Sequence, residues 1–388
     1  MIHETDKLMF DLIKASLWGT TPPKVDEDVY EEMQQHAIVA LPANIISCAV
    51  ISPELQDKWN KSILQQAFFY ANYKYQQNLL PINVPYVILK GTSASKYYPQ
   101  PEYRTMGDID IITRREDFEE ASNQLVSYGY KVSKADSNRE VVFRKNGITI
   151  ELHRRFASLN DPQQAEYLDS LIIENINQTH VLPDLVNGLV LLEHISQHLE
   201  NGLGLRQIID WMMFVDKCLP DEAWAEFEPM ADKIGLKKLA ITTTKMCEIY
   251  LGLPERTWCS DAKLSLCDQL LSYVLECGNF GNKKTSAEAI SENAFAYGST
   301  PKMAFKLLQN RGIINWKLAQ KHRALRPFAW IYQAMRYVMR GLQREEAASK
   351  LRIEYKAARE RNAMFDALGV KTAAKGLVIY KDGKYIKT

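Results

Sequence analysis

The sequence lacks the features that mark membrane-spanning, secreted and disordered proteins. No apolar run approaches the ~18 residues that a membrane span requires, and the N-terminal stretch carries early acidic residues and no signal-peptide pattern. Its 18 glycines and 15 prolines give no low-complexity bias, and aromatic residues at 10% of the 388 positions argue against disorder. We therefore expect a soluble globular protein that resides in the cytoplasm.

Cysteine chemistry and general polyanion binding are not indicated either. The six cysteines include no C-x-x-C pair, and a chain of this length has no need of disulfide bonds, so unpaired thiols are expected. Lys+Arg 48 against Asp+Glu 47 gives a net charge of +1, which excludes polyanion binding by the molecule as a whole. Walker loops, dinucleotide fingerprints, nucleophile elbows and kinase motifs are missing, which narrows the chemistry towards metal-assisted phosphoryl transfer.

Hydrophobic periodicity places a strand-rich segment between helical regions. Short runs predict strands at 84–91 and 108–113, Asn146-Gly147 predicts a hairpin between two further strands, and another hairpin is expected at 377–387. The sequence therefore predicts an α+β fold, in which a small mixed β-sheet core is flanked by N-terminal and C-terminal helical regions. The expected division is an N-terminal helical region at 1–83, the core at 84–157, a helical domain at 158–345, and a basic helix and tail at 346–388.

Asp108 and Asp110 are the most informative residues. Side chains alternate along a strand, so both carboxylates are expected on one side, with Ile109 and Ile111 in the core. Two acids so close repel each other in a low-dielectric setting unless a cation or water screens them. A hard divalent cation such as Mg²⁺ fits this oxygen-rich pair, and a solvated edge strand is the alternative.

Glu151 offers a third carboxylate. In the strand ITIELH, Glu151 and His153 share the polar face. If this strand lies beside the Asp110 strand, the three acids could hold two metal ions ~3.5–4 Å apart, as in phosphoryl transfer. His153 would then orient a ligand carboxylate, or serve as a structural histidine. An exposed Glu151 without a function is the alternative.

A glycine turn precedes the acids. Gly91 ends a strand and permits close approach of a phosphate, while Thr92 and Ser93 offer hydroxyl donors at a helix start. A plain helix cap uses the same residue types, but the acids that follow favour the phosphate interpretation. Lys90 and Arg104 flank this pocket as candidate cations for the triphosphate or pyrophosphate, with ordinary surface charge as the alternative.

The ordered motifs resemble the nucleotidyltransferase superfamily that includes DNA polymerase beta and the aminoglycoside nucleotidyltransferases. Within it, the chain is most similar to the bacterial "uncharacterised nucleotidyltransferase" family, over about residues 40–345. The resemblance rests on Leu89-Lys90-Gly91, Tyr98-Pro99, Arg104, Gly107-Asp108-Ile109-Asp110, Gly129-Tyr130 and Glu151-Leu152-His153, and on the later His194, His198, Leu205-Arg206-Gln207 and Asp210-Trp211.

The resemblance implies a metal-dependent nucleotidyltransferase that moves a nucleoside monophosphate from ATP or another nucleoside triphosphate to an acceptor hydroxyl and releases pyrophosphate. The implied catalytic and metal-binding residues, for Mg²⁺ or Mn²⁺, are Asp108, Asp110 and Glu151. The implied nucleotide-binding residues are Lys90, Gly91, Thr92, Ser93 and Arg104. The acceptor stays open between a small molecule, a peptide, a protein and RNA. The alternatives are a catalytically silent member that binds nucleotide or a partner, and a toxin-like transferase that modifies RNA.

Two further polar pairs stand four residues apart on predicted helices. His194 and His198 have the spacing of zinc ligands, but position 195 is isoleucine where the metalloprotease pattern has glutamate, so we expect them to pack beside the sheet. Arg206 and Asp210 are expected to pair with each other.

Residues 302–361 are strongly basic, with 15 Lys and Arg against four acidic residues and several interleaved aromatic residues. Such a segment can form a face for RNA, anionic lipid or a phosphorylated substrate. We favour the simpler interpretation, in which the aromatic residues lie in the core and the basic residues face water.

Overall fold

The structure, a computed structural model, describes most of the chain. The described residues are 2–136, 139–199, 202–283, 305, 308–309, 312–313, 315–342, 347–370, 378–381 and 384–387. They confirm the predicted α+β class, with a five-stranded mixed sheet and helices before and after it.

Helices form most of the described chain. Those up to the middle of the sheet region are α1 (Glu4–Trp18), α2 (Glu27–Gln35), α3 (Pro53–Asn78), α4 (Gly91–Ser95) and α5 (Phe118–Ser127). The later ones are α6 (Pro162–Glu174), α7 (Asp184–Leu199), α8 (Leu205–Cys218), α9 (Asp221–Lys233), α10 (Lys237–Leu251), α11 (Leu264–Cys277), α12 (Lys317–Lys321), α13 (Ala329–Leu342) and α14 (Ala347–Ala367). Short 3₁₀ turns lie at Leu41–Asn44, Ile46–Cys48, Pro101–Tyr103, Thr257–Cys259, Asn279–Gly281 and Arg323–Phe328.

The described strands are β1 (Tyr86–Leu89), β2 (Ile109–Thr113), β3 (Lys131–Asp136), β4 (Glu140–Lys145), β5 (Ile148–His153), β6 (Val378–Lys381) and β7 (Lys384–Lys387). The first five form the main sheet, in the order β1-β2-β5-β4-β3. The β2–β5 pair is parallel, and the other neighbouring pairs are antiparallel. Because β2 and β5 lie side by side, residues far apart in sequence meet at the centre of the sheet.

Both hairpins predicted from the sequence are present. Asn146 and Gly147 connect β4 to β5 with φ angles of 49° and 79°, and positive φ at both central residues is the geometry of the tight turns that favour Asn-Gly. At the C-terminus β6 and β7 pair antiparallel, while residues 382–383 of the predicted turn lie outside the described residues. The Asn-Gly hairpin fixes the register of β5, and therefore the position of Glu151.

The interpretation of β2 as a solvated edge strand is wrong. Ile109, Ile111 and Ile112 are at most 4% exposed, and Asp110 is only 1% exposed. β2 lies between two neighbours, and its two faces contact two different hydrophobic clusters. The alternation of charged and apolar residues therefore marks a carboxylate inside the protein, where a compensating cation is required.

The sheet separates these two clusters. Ile109 and Ile111 pack with α5 in the smaller cluster, while Ile112 joins the larger one, which also contains Met9 of α1 and Phe365 of α14. The helices before and after the sheet therefore share one core. The division of the chain at residues 83, 157 and 345 stays a prediction.

The described helices and the cysteines complete the description of the fold. None of the helices in the described ranges is long and apolar enough to cross a membrane. All six cysteine positions are described and none forms a disulfide bond; Cys247, Cys259, Cys267 and Cys277 are buried. Burial raises the pKa of Cys247 well above its ordinary value, so this thiol stays protonated and packs as an apolar side chain.

Candidate active site

Asp110 and Glu151 are brought together by the parallel β2–β5 pairing. The register sets Asp110 opposite Glu151, and Ile112 opposite His153. Residues directly opposite each other point to the same face of a sheet, and this face meets the larger hydrophobic cluster. The expectation that the Glu151 strand lies beside the Asp110 strand is therefore confirmed. Asp108 stands on the loop one residue before β2 and is half-buried.

Asp110 has two close partners. The Lys90 ammonium nitrogen Nζ lies 2.7 Å from its Oδ1, and the His153 ring nitrogen Nε2 lies 2.9 Å from the same oxygen. Burial alone raises the pKa of this carboxyl, but the Lys90 charge and the His153 hydrogen bond outweigh it and hold the pKa well below its usual range. Asp110 is consequently ionised at neutral pH in spite of its burial.

Glu151 and Asp108 show the opposite behaviour. Burial, followed by the charges of Asp110 and Asp108, raises the pKa of Glu151 to about 8. Burial and the Asp110 charge raise the pKa of Asp108 as well, although Lys90, Arg206 and Arg104 oppose the shift. Lys90 alone therefore does not compensate the three carboxylates, and the site has room for further positive charge.

The donor atoms at this position suit a metal ion. Ligand atoms of Asp110, Glu151 and His153 lie within 4.8 Å of one another, and this group does not include Asp108. Carboxylate oxygens are the preferred ligands of hard divalent cations. Because Lys90 is a cation already in contact with Asp110, its ammonium group marks a position beside the acids where positive charge is favoured.

The predicted glycine turn lies against the loop that carries Asp108. Lys90 and Gly91 both have positive φ angles, 48° and 36°, and a side-chain carbon built on Gly91 would lie 3.7 Å from the backbone oxygen of Asp108. The turn thereby leads directly into the five-residue helix α4 beside the acids.

The hydroxyl groups of this turn are bound inside the protein. Thr92 Oγ1 donates to Gln77 Oε1 at 2.5 Å, and Ser93 Oγ donates to Asn187 Oδ1 at 3.0 Å. Contact between these hydroxyls and a triphosphate stays a prediction. The backbone N–H groups of the first helical turn have no intrahelical acceptor, and they are the donors of this turn best suited to a phosphate.

Helix α3 supports both loops of the site through buried polar side chains that the sequence reasoning missed. Gln66 Nε2 donates to the backbone oxygen of Arg104 at 3.0 Å, and the Tyr73 hydroxyl donates to the backbone oxygen of Gly107 at 2.6 Å. Gln77, on the same helix, accepts the Thr92 hydroxyl. Glutamine and tyrosine on a long helix give no local signal of such contacts, since their partners lie 15 or more residues away in sequence.

Arg104 is buried in the protein and is not an exposed surface cation. It is 3% exposed, and its Nε and NH2 groups donate to the two carboxylate oxygens of Asp210 at 2.9 and 2.5 Å. The expected pair of Arg206 with Asp210 is therefore replaced by a long-range pair, because Arg104 offers the carboxylate a bidentate partner. A role of Arg104 in nucleotide binding stays a prediction.

His194 and His198 contact each other, with 2.9 Å between their Nε2 atoms. Burial lowers the pKa of both, to about 3 for His198, and the charges of Lys90 and Arg206 lower it further. Both rings are therefore neutral at neutral pH, and they lie close to Lys90 and Arg206. Within the described ranges they belong to no group of three metal-binding side chains.

The basic segment 302–361 is described only in part. Trp316 and Tyr332 stack on each other with 5.3 Å between ring centroids, and both are half-buried. Phe328, by contrast, is 55% exposed, so the aromatic residues do not all lie in the core as we had favoured. RNA binding by this segment stays a prediction.

Comparison with known proteins identifies one family. The family described as "Uncharacterised nucleotidyltransferase" has a sequence model that matches residues 25–252, more than half of the 388-residue chain. The match includes the whole five-stranded sheet, the three acids and helices α6 to α8. Comparisons with curated proteins and with solved structures give no match.

Proposed function

Since the chain belongs to the uncharacterised nucleotidyltransferase family and is therefore an enzyme of nucleotidyl transfer, we propose that it requires Mg²⁺ or Mn²⁺. It transfers a nucleoside monophosphate from a nucleoside triphosphate to an acceptor hydroxyl. The observation that carries this proposal is the in-register pair of Asp110 and Glu151 on neighbouring parallel strands, with Asp108 one residue before its strand. A buried acid with two further carboxylates beside it is costly to fold unless cations compensate the negative charges.

Asp108, Asp110 and Glu151 would hold the divalent ion. The chemistry of these donors fits, because they offer only carboxylate oxygens and because the pKa values of Asp108 and Glu151 are raised for lack of positive charge. When bound, the ion neutralises phosphate oxygens and makes the acceptor hydroxyl more acidic. His153 keeps Asp110 in one orientation through its 2.9 Å contact.

Lys90 and the glycine turn would bind the phosphates. The Lys90 ammonium group is a fixed positive charge between two strands, and fixed charges stabilise a phosphoryl-transfer transition state more than mobile ones. Gly91 and the backbone N–H groups of the first turn of α4 supply donors beside it. The Thr92 and Ser93 hydroxyls hold the turn in place through their protein partners.

The acceptor hydroxyl must lose a proton when its oxygen attacks the α-phosphorus. The new oxygen–phosphorus bond forms as the bond to the leaving pyrophosphate breaks. Asp110 and Glu151 are the two candidate bases. Glu151 fits better, because its side chain is 24% exposed, whereas that of Asp110 is 2% exposed and contacts Lys90 and His153. Glu151 takes the proton and returns it to solvent.

The test is a transfer assay with the purified full chain, nucleoside triphosphates labelled at the α-phosphate and an extract that supplies acceptors. ATP is tested first, and cytoplasmic small molecules, proteins and RNA are separated afterwards. We expect label transfer and pyrophosphate release that need Mg²⁺ or Mn²⁺ and fall by ~100-fold or more in Asp110→Asn and Glu151→Gln. The matched control is Glu116→Gln, an exposed carboxylate on the loop that follows β2.

Each result has a defined meaning. Loss of transfer in the two site variants with normal transfer in Glu116→Gln supports the proposal. Nucleotide binding by the wild type without any transfer identifies the catalytically silent alternative. Transfer that continues in Asp110→Asn, or in the presence of a metal chelator, contradicts the proposed metal-dependent reaction.

A further inference from the structure

The buried cations near the three acids differ in whether they have an acidic partner. Lys90 pairs with Asp110 and Arg104 pairs with Asp210. Arg206, at the second position of α8, forms no salt bridge within the described part of the chain, although its residue is only 8% exposed. Its NH1 group donates to the backbone oxygen of Thr105 at 3.3 Å, and its Nε atom is buried without a hydrogen-bond partner.

This unpaired guanidinium lies at the loop that leads to Asp108. Its NH1 group contacts the backbone oxygen of Thr105, three residues before Asp108 in the chain. The neighbouring Phe280 ring also packs against the His198 ring, with 4.8 Å between ring centroids.

The surroundings hold the guanidinium in a fixed orientation. The Phe280 ring lies over it, with 5.4 Å from the guanidinium carbon to the ring centroid. The turn that carries Phe280 packs on the turn before α8, where a side-chain carbon on Gly202 would lie 2.1 Å from the backbone nitrogen of Gly281. Gln207 Nε2 also donates to Asn279 Oδ1 at 3.2 Å. Two turns in backbone contact therefore keep Arg206 in place before any ligand binds.

A buried arginine that has an unused donor, no acidic partner and a position beside the candidate active site is suited to bind an anionic ligand there. A guanidinium that is removed from water is destabilised unless a charged or polar partner meets its N–H groups. Of the two acids whose charges act on Arg206, Asp210 pairs with Arg104 and Asp108 is proposed to hold the metal ion, so a ligand is the partner that remains. Its planar donor pattern matches phosphate oxygens, which it can bind through two parallel hydrogen bonds.

Resting on the proposed function, we infer that Arg206 binds the β- and γ-phosphates of the nucleoside triphosphate and later the pyrophosphate product. Lys90 would supply the second positive charge, and the two cations would hold the polyphosphate while the acceptor attacks the α-phosphorus. An acceptor that itself carries a phosphate has the same chemistry, and the experiment separates the two sources.

The test compares dissociation constants of Mg²⁺ complexes of inorganic triphosphate, pyrophosphate, the nucleoside triphosphate and its monophosphate, for the wild type and for Arg206→Gln. We expect affinity for triphosphate, pyrophosphate and the nucleoside triphosphate to fall roughly 30-fold or more, because a buried charged partner is lost. Affinity for the monophosphate should change about threefold or less. Arg206→Lys keeps the charge but not the two parallel hydrogen bonds, so its affinity for the polyphosphates should lie between those of the wild type and Arg206→Gln.

The matched control is Arg256→Gln on the loop after α10. The Arg256 Nε atom is likewise buried without a partner, and its NH1 group donates only to backbone oxygens at 3.1 and 3.2 Å. This variant should bind every probe as the wild type does. Thermal unfolding of all variants shows whether they are folded, and Arg206→Lys carries the test if Arg206→Gln is not.

The outcomes separate this inference from the proposed function. A wild type that binds neither triphosphate nor nucleoside triphosphate contradicts the proposed function itself. A wild type that binds them, together with a folded Arg206 variant that binds them equally well, overturns the inference alone. Unchanged polyphosphate binding with loss of transfer only to phosphorylated acceptors also overturns it, since the anion would then belong to the acceptor.

Discussion

Asp110 is stabilised by two partners that do different things. Lys90 supplies the opposite charge, and its contact with Asp110 Oδ1 removes most of the cost of burying an ionised carboxylate. His153 adds a directional hydrogen bond and limits the orientations open to the side chain. Since both partners bind the same oxygen, Oδ2 of Asp110 is the atom better placed for a metal ion.

Glu151 gives the first prediction, on metal binding and stability. At about pH 9, above its pKa of about 8, its ionised carboxylate repels the two aspartates, so Glu151→Gln should be more stable than the wild type without metal. Mg²⁺ at a hundred times its dissociation constant should then stabilise the wild type by ~2.7 kcal/mol, which raises the unfolding temperature. It should stabilise Glu151→Gln much less.

Thermal unfolding with a chelator and with Mg²⁺ measures both effects. Glu116→Gln, which changes an exposed carboxylate, serves as the control and should respond as the wild type does. An equal Mg²⁺ response in the wild type and in Glu151→Gln would show that Glu151 does not take part in metal binding.

The positions of single residues could be predicted from the sequence where the signal lies within a short segment. The period-two pattern of ITIELH and the Asn146-Gly147 turn together fix which face carries Glu151, and both are readable within ten residues. The partner of Asp210 could not be read in the same way. Arg206 is four residues from it and is the local candidate, whereas Arg104 is 106 residues away and meets it only through the tertiary fold.

Helix α7 carries a buried acid whose titration should change the stability of the folded protein. Glu193 is 1% exposed, its Oε1 accepts the backbone N–H of Ser158 at 2.7 Å, and the Gln197 amide donates to its Oε2. Burial raises the pKa of Glu193 to about 7, although these hydrogen bonds and the Arg139 charge oppose the shift. Folding therefore favours the protonated form of the Glu193 carboxyl.

The second prediction follows from this shift. The carboxyl has a pKa near 4.5 in the unfolded chain and about 7 in the folded one, so its stabilising contribution is complete below the lower value. It is lost as the pH rises through about 7, at no more than about 1.4 kcal/mol per pH unit. Glu193→Gln keeps an acceptor for Ser158 but does not titrate, so its stability should fall less than that of the wild type over this range.

Urea unfolding of the metal-free protein between about pH 5 and about pH 8 measures this difference. The other acids titrate in both proteins, so the difference in free energy of unfolding isolates Glu193. Parallel pH curves for the wild type and Glu193→Gln would contradict the assignment.

The elements themselves differ in how well the sequence predicted them. The helices and hairpins follow from hydrophobic period and turn residues, because those signals lie within one element. The complete burial of β2 did not follow, since it depends on β1 and β5 on either side and on two hydrophobic clusters. The supporting role of α3 was also unreadable, because its Gln66, Tyr73 and Gln77 bind loops elsewhere in the chain.

For the whole molecule, the Arg104–Asp210 pair connects the sheet region to the helices that follow it. Arg104 lies on the loop before β2 and Asp210 lies on α8, and both are at most 3% exposed. The Tyr98 hydroxyl donates to Asp210 at 2.7 Å, so the carboxylate is satisfied by three donor groups. A bidentate pair in this environment fixes the relative position of the two regions.

The third prediction concerns this pair. Asp210→Ala leaves Arg104 buried without a partner and should lower the free energy of unfolding by about 3–5 kcal/mol. The double variant Arg104→Met with Asp210→Leu replaces the pair by apolar side chains and should recover most of the loss. Urea unfolding measures both; a loss below about 1 kcal/mol in Asp210→Ala, or no recovery in the double variant, would show that the pair does not join the two regions.

A consequence of α3 extends beyond the active site. This one continuous helix of 26 residues holds the glycine turn through Gln77. It also holds the loop before Asp108, through Gln66 and Tyr73. A helix resists stretching along its axis, so the distance between these two loops is set by a rigid rod rather than by their own flexible backbones. The spacing between the glycine turn and the carboxylates is thus set by a helix that contributes none of the proposed catalytic residues.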